Sequence, residues 1–285
     1  MAIVTLSTDI GNYDFIIGSL KGQLLSLHPA LQIVDISHDL SSSNLAESAY
    51  ICRNAFRYYP ENTIHIVLVN LFEFKPTHLL VTKYGNGFLL CPDNGILTMI
   101  CRQKPNEVIK VSLLQNEPVT SLRFLAEFAA AATKLALGKY PLQLGEQFTE
   151  FCERYPMRPS FGGNWIEGQI IFIDKFENVV VNISKEEFEE YSQGRKFDIT
   201  FGRSQIISHI HENYGVAPNE ECIACFNSAG MLELSVKNGN IASLFGLQGY
   251  KDEINTIHRN ISNANAKNWF YQSVKIYFRE EEKPV

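Results

Sequence analysis

No stretch of about 18 consecutive apolar residues occurs anywhere in the chain, so nothing in it reads as a transmembrane helix and no membrane partner is expected. The opening MAIVTLSTD lacks the basic n-region and the long apolar core of a secretory signal, which predicts a cytoplasmic protein. Basic residues are short as well. The chain has 25 Lys and Arg against 31 Asp and Glu, a net charge of −6, which argues against a phosphate-reading face and therefore against nucleic acid as a partner. A Walker glycine loop, a G-x-S-x-G elbow and a Rossmann G-x-G-x-x-G are all missing. The six cysteines (Cys52, Cys91, Cys101, Cys152, Cys222 and Cys225) are scattered, mostly inside apolar runs, and read as reduced, buried thiols.

The 285 residues present, 45% of them hydrophobic, suffice for two well-buried domains without disulfides or a structural metal. The first half alternates Ala2 to Ser7 (strand), Asp14 to Leu27 (helix), Leu31 to Ile36 (strand), Asn44 to Tyr59 (helix) and Thr63 to Val69 (strand). This βαβαβ order predicts an α/β domain with a mainly parallel central sheet. A hairpin follows around Tyr84 to Gly87, and the Ala-rich helix Leu122 to Leu137 ends at Gly138.

Around Pro156, Pro159, Gly162 and Gly163 the pattern breaks, which places an α/β domain over 1–150, a linker over 151–165 and a second domain over 166–285. The second domain carries short strand-like runs and reads as a smaller all-β barrel or sandwich, with a charged tail from Glu280 to Val285 expected to fray. Open α/β sheets bind ligands beyond the carboxyl ends of their strands. The residues at issue are therefore Thr8-Asp9, Ser37-His38-Asp39 and Asn70.

Seven segments then line up in order: TLSTDIG (5–11), KGQLLSLHP (21–29), IVDISHDL (33–40), PDNGILT (92–98), LALG (135–138), EGQIIFIDKFENVVVNI (167–183) and NSAGMLEL (227–234). Together they resemble the S-adenosylmethionine hydroxide adenosyltransferases, relatives of the fluorinating and chlorinating nucleosidases. The resemblance implies hydrolysis of S-adenosylmethionine to adenosine and methionine. It also implies a homotrimer with ligand sites between the N-terminal domain of one subunit and the C-terminal domain of the next. S-adenosylmethionine or adenosine enters as substrate or ligand, and no resident cofactor is implied.

Residue by residue, the resemblance gives Asp9 the two ribose hydroxyls, Asp174 the methionine amino group, Asn178 an adenine edge, Phe176 the base plane and Ser228 the methionine carboxylate. Ordinary local roles stay open beside these: a turn or helix cap for Asp9, a polar turn with one packed aromatic for 174–178, and a turn serine for Ser228.

The pattern departs from the family at the three residues that activate water there, an aspartate, an arginine and a histidine. Asn70, Thr77 and Arg123 stand in their places. Asparagine takes no proton, threonine supplies no cation, and arginine, with a pKa above about 12, is no base near neutrality. The altered loop adds Leu71, Phe72 and Phe74, which stand to cover or fill the site, while Glu73, His78 and Glu127 are the candidates from which a new constellation would be drawn. Metal is set aside. Cys222 and Cys225, with His209 and His211 upstream, have the right softness for zinc, but residues three apart on a strand face opposite sides.

Overall fold

The computed structural model describes residues 2–113, 119–202, 205–216, 218–247 and 272–279; the Glu280 to Val285 tail lies outside them. The chain divides into two compact units, one ending at Pro156 and one beginning at Met157.

The first unit runs β1 (Ile3–Thr8), α1 (Ile16–Leu27), β2 (Gln32–Ser37), α2 (Leu45–Phe56), β3 (Ile64–Leu68), β4 (His78–Tyr84), β5 (Gly87–Pro92), α3 (Ile96–Cys101), β6 (Val108–Ser112), α4 (Ser121–Ala136) and β7 (Glu146–Gln147). Its sheet has the order β2-β1-β3-β5-β4-β6-β7. The sheet is mixed, not mainly parallel. β1 pairs in parallel with β2 and β3, and β3 with β5, whereas β4–β5, β4–β6 and β6–β7 are antiparallel. The hairpin seen in the sequence causes this, because β5 joins the sheet beside β3 and brings β4 back on its far side.

Both faces of the sheet are covered, which is why β3 is buried throughout and apolar at every position but His65. Ile64, Ile66 and Leu68 pack with Leu20 and Leu24 of α1 and Phe124 and Phe128 of α4. Val67 and Val69 face the other layer, with Leu45, Ala49, Cys52 and Phe56 of α2 and Ile96, Leu97 and Ile100 of α3. Caps set the helix starts: the Asn44 side chain accepts from the Glu47 N–H at 3.1 Å, and Thr120 Oγ1 accepts from the Arg123 N–H at 3.3 Å.

One core histidine interrupts the apolar layer. His65 is 3% exposed, stacks on Phe56 with ring centroids 3.9 Å apart, and has Nδ1 2.8 Å from Thr5 Oγ1. Burial drives its pKa down to about 4 from the ordinary 6.5. As pH falls below 6.5 the unfolded chain therefore takes up a proton that the folded chain refuses. This contribution to stability is intact above pH 6.5 and disappears by about pH 4. The loss should amount to about 3 kcal/mol. Urea titrations at pH 7.5 and pH 4 should show the wild type losing that much more stability than His65→Gln, and equal losses would refute the assignment.

The second unit is an eight-stranded antiparallel sheet, nearly closed into a barrel. Its elements are β8 (Ser160–Phe161), β9 (Trp165–Ile173), β10 (Val179–Ser184), α5 (Lys185–Ser192), β11 (Phe197–Phe201), β12 (Gln205–Ile207), β13 (Cys222–Phe226), β14 (Met231–Val236), α6 (Ile241–Phe245) and β15 (Ser273–Phe278). The order is β12-β11-β15-β9-β10-β14-β13, with β8 paired to β9. A single bridge from His211 to Cys225 brings the segment after β12 against the opposite edge strand, β13. Alternate residues of β9, Ile166 and Ile170 among them, fill the interior with Val179, Val181, Leu232 and Leu234.

Candidate functional site

Strand order reverses at β1: the chain passes from β1 to β2 on one side and then to β3 on the other. A crevice at the carboxyl ends of β1 and β3 is where such a sheet takes a ligand. Thr8 pairs with Leu68 across these strands, so Asp9 and Asn70 emerge side by side. The Asn70 N–H donates to Asp9 Oδ2 at 2.8 Å. Burial raises the Asp9 carboxyl above the usual aspartate range, against the opposing pull of the Asn70 and Asp9 backbone N–H groups. Below this turn His38 is a buried brace. Its Nδ1 lies 3.0 Å from Thr8 Oγ1, and Asp35 Oδ1 stands 3.2 Å from Nε2 without the alignment of a hydrogen bond.

Asn70 sits in the left-handed region at φ 49°, which asparagine tolerates. Its Nδ2 donates to Glu73 Oε2 at 3.0 Å, and the other Glu73 oxygen pairs with Arg154. Glu73 is no solvated loop residue: its side chain is 8% exposed and both its oxygens are engaged. The stem of Arg154 lies against Gly95 (φ 94°), where a Cβ would come within 2.5 Å of Arg154 Cγ. Only glycine serves at that point of P-D-N-G, for both reasons. Asn94 Nδ2 donates to the carbonyls of Val69 (2.8 Å) and Asn70 (3.1 Å), locking the end of β3.

Thr77 and His78, at the start of β4, complete the arrangement. Thr77 Oγ1 lies 2.8 Å from His78 Nδ1, and His78 Nε2 lies 2.9 Å from Asp93 Oδ2. Asp93 Oδ1 accepts the Cys152 N–H at 2.7 Å, so the carboxylate is fixed from both sides. With Nε2–H donating to Asp93, Nδ1 is left as an acceptor for the threonine hydroxyl, a hydroxyl–imidazole–carboxylate chain. Asn70, Phe74, Thr77, His78, Asp93 and Phe124 all line one cavity of about 260 Å³. Phe72 and Phe74 do not fill it: they are 48% and 53% exposed, and Phe72 packs edge-on against Phe124 at 6.3 Å. Of the three substituted positions, Asn70 and Thr77 open into this cavity, while Arg123 stands in the first turn of α4 beside Phe124. Glu127 is half-buried further along α4.

In the second unit, Asp174, Phe176 and Asn178 share the turn between β9 and β10. Asp174 Oδ1 accepts the N–H groups of Phe176 and Asn178, each at 2.8 Å, and Oδ2 accepts Asn178 Nδ2 at 3.0 Å. The Asn178 backbone carbonyl accepts the Asp174 N–H at 3.0 Å, so the Asn178 side-chain Oδ1 and the Phe176 ring, 73% exposed, are the groups these bonds do not use. Ser228 is at the exposed tip of the turn between β13 and β14, which Asn227 organises by accepting the N–H groups of Ala229 and Met231 and donating to Glu233 at 2.9 Å. The Tyr214 hydroxyl is bonded to Glu233 in turn, and burial with that carboxylate raises its pKa.

Asp93, Asn94 and Arg154 were not singled out as site residues from the sequence. Asp93 and Asn94 follow β5 directly, so the strand-end rule that selected Asp9 and Asn70 would have found both. Arg154 carries no such signal, because only the fold sets it beside Glu73.

Among the described residues no helix is long and apolar enough to cross a membrane. Compared with known proteins, residues 4–145 match the SAM hydroxide adenosyltransferase N-terminal domain and residues 168–254 its C-terminal domain. The chain is similar to an (R)-S-adenosyl-L-methionine hydrolase of Methanocaldococcus jannaschii, at 25% identity over 266 residues, covering 90% of this chain and 96% of that protein. A hydrolase of the same name from Thermus thermophilus is likewise 25% identical, over 87% of this chain and 97% of the relative. A fluorinase of an Actinoplanes species is 24% identical over 67% of this chain and 75% of its own. A solved structure of a conserved protein from Thermotoga maritima superposes with a TM-score of 0.78 at 18% identity, over 97% of this chain and all of that one, which speaks for the fold. With both domain models matched in order, the chain belongs to the SAM hydroxide adenosyltransferase family.

Proposed function

We propose that this protein hydrolyses S-adenosylmethionine at the 5′ carbon to adenosine and methionine, using Thr77, His78 and Asp93 in place of the family's activating residues. One observation carries the reading: the cavity that Asn70 and Thr77 line also holds a preformed hydroxyl–imidazole–carboxylate chain. The hydrolase names of the two relatives at 25% identity support the reaction class. In this scheme the Thr77 oxygen accepts a hydrogen bond from water while its own proton points to His78 Nδ1. As water attacks the 5′ carbon, its proton passes through Thr77 to His78, and Asp93 stabilises the imidazolium. The carbon–sulfur bond breaks and methionine leaves as a neutral thioether, so the leaving group needs neither an acid nor a cofactor.

Asp9 takes the ribose hydroxyls in this proposal, Phe176 and Asn178 the adenine, Asp174 the methionine amino group and Ser228 its carboxylate, in a homotrimer whose sites combine two subunits. A second reading, a non-catalytic trimer that binds adenosine or S-adenosylmethionine, is favoured by the commitment of both Glu73 oxygens and by the uncharged Asn70. Incubation of the purified protein with S-adenosylmethionine, followed by chromatography, decides between them. Adenosine and methionine should appear in equal amounts above the uncatalysed rate. No product, together with a thermal shift by adenosine, would establish the second reading, and neither product nor shift would overturn both.

A further inference from the structure

The cysteine pair at 222 and 225 lies on β13 and faces opposite ways: Cys222 packs against the core of the second unit, and Cys225 sits one strand-face away, across from Glu233. A different set of ligands comes together beside it. His211 bridges to Cys225 and donates its backbone N–H to the Ala224 carbonyl at 2.8 Å, which lays the segment carrying His209 and His211 along β13. Residues two apart on an extended segment share a face, so both imidazoles turn the same way, and their ring centroids are 4.1 Å apart. Glu221, just before β13, falls on that face too. One ring nitrogen from each histidine and one carboxylate oxygen of Glu221 all lie within 4.8 Å of one another. His211 Nε2 is buried with no hydrogen-bond partner among the described residues, the kind of unmet polar atom that native proteins rarely leave unexplained.

We infer that His209, His211 and Glu221 form a binding site for a divalent first-row transition cation, for which Zn²⁺ is the test ion. Two imidazoles and one carboxylate suit zinc, nickel or cobalt; magnesium and calcium, which prefer oxygen cages, fit them poorly. In a tetrahedral zinc site the ligand atoms sit about 2.0–2.2 Å from the metal, hence roughly 3.3 Å from each other. Small side-chain rotations bring the three groups to that spacing, and water takes the fourth position.

The site has a structural consequence. An ion held there ties together the two ends of the segment between His211 and Glu221, and so restrains Tyr214, whose hydroxyl reaches Glu233 and, through it, Asn227 at the base of the Ser228 turn. A clip of this kind stabilises by removing loop freedom.

Calorimetric titration of the full chain with zinc chloride should reveal one equivalent per chain. His209→Gln and His211→Gln should each weaken it by about tenfold or more, since even groups outside a metal's ligand sphere account for 10–100-fold. A Cys222→Ser/Cys225→Ser double variant should bind as the wild type does, and the cobalt-substituted protein should show no thiolate-to-metal charge-transfer band. His209 is exposed, so its variant tests the site even where His211→Gln disturbs folding, which circular dichroism would report. Absence of saturable binding, binding indifferent to both histidines, or binding lost with the cysteines and marked by a thiolate band would each overturn the assignment.

Discussion

Replacing His78 with glutamine should slow adenosine release from S-adenosylmethionine by about 10²–10⁴-fold, the range that a positioned general base contributes. His78 is the titratable link between the threonine hydroxyl and Asp93, with contacts of 2.8 and 2.9 Å. Glutamine keeps the length and polarity but accepts no proton near neutrality. Thr77→Val removes the relay hydroxyl while nearly preserving shape and should cost a comparable factor. Residues that work as one unit lose activity once, so the double variant should be little worse than either single one. The effect should fall on kcat, with KM nearly constant, because the relay touches the water and not the adenosyl group. A His78→Gln enzyme with wild-type kcat would sink the relay, and a large rise in KM alone would assign His78 to binding. Glu73→Gln provides a contrast. That carboxylate is already bonded to Asn70 and Arg154, so its loss should act through loop stability and leave the shape of the pH–rate profile unchanged.

The main frame of the fold was legible in the sequence because its periodicities are strong. β1, α1, β2, α2 and β3 each fall within about a turn or two residues of the segments read from apolar spacing. What failed was longer-range. The hairpin around Tyr84 to Gly87 was visible, but hairpin turns do not say which sheet they join, and the placement of β5 beside β3 makes the sheet mixed. The six-residue α3 is less than two helical turns long, too short to show a 3.6-residue period. At the site, Asp9 and Asn70 were legible as residues after strands. The Thr77–His78–Asp93 chain was not, since it joins residues at the facing ends of two strands whose antiparallel pairing, Leu79 opposite Pro92, is itself a tertiary fact. Glu73 was misplaced for the same reason: its partner Arg154 lies 81 positions away.

Substituting Asp9 with alanine should weaken adenosine binding by about 10²–10⁴-fold, because two hydrogen bonds to a charged carboxylate are worth about 1.5–3 kcal/mol each. The same change removes the acceptor of the Asn70 N–H and should also lower stability by about 1–3 kcal/mol, the cost of an unmet, partly buried donor. Asp9→Asn separates the two effects. Its side-chain oxygen still accepts from Asn70, so the loop holds, but the charge that would grip both ribose hydroxyls is gone. Burial raises the folded-state pKa of Asp9, so its contribution to stability is greatest while the group is protonated and is lost as pH rises through that raised value. At neutral pH the ionised carboxylate therefore burdens the empty protein, and Asp9→Asn should be at least as stable as the wild type. Ligand affinity should run the other way, falling as pH drops through the raised pKa, because only the carboxylate form accepts both hydroxyls. Calorimetry with adenosine across pH 4 to 8 reads both trends. An Asp9→Asn protein that binds adenosine as the wild type does would remove Asp9 from the ribose site. A buried charge that weakens the empty protein and is relieved only by ligand is the expected signature of a binding residue, whereas a residue of purely structural use would gain from becoming asparagine at no loss of affinity.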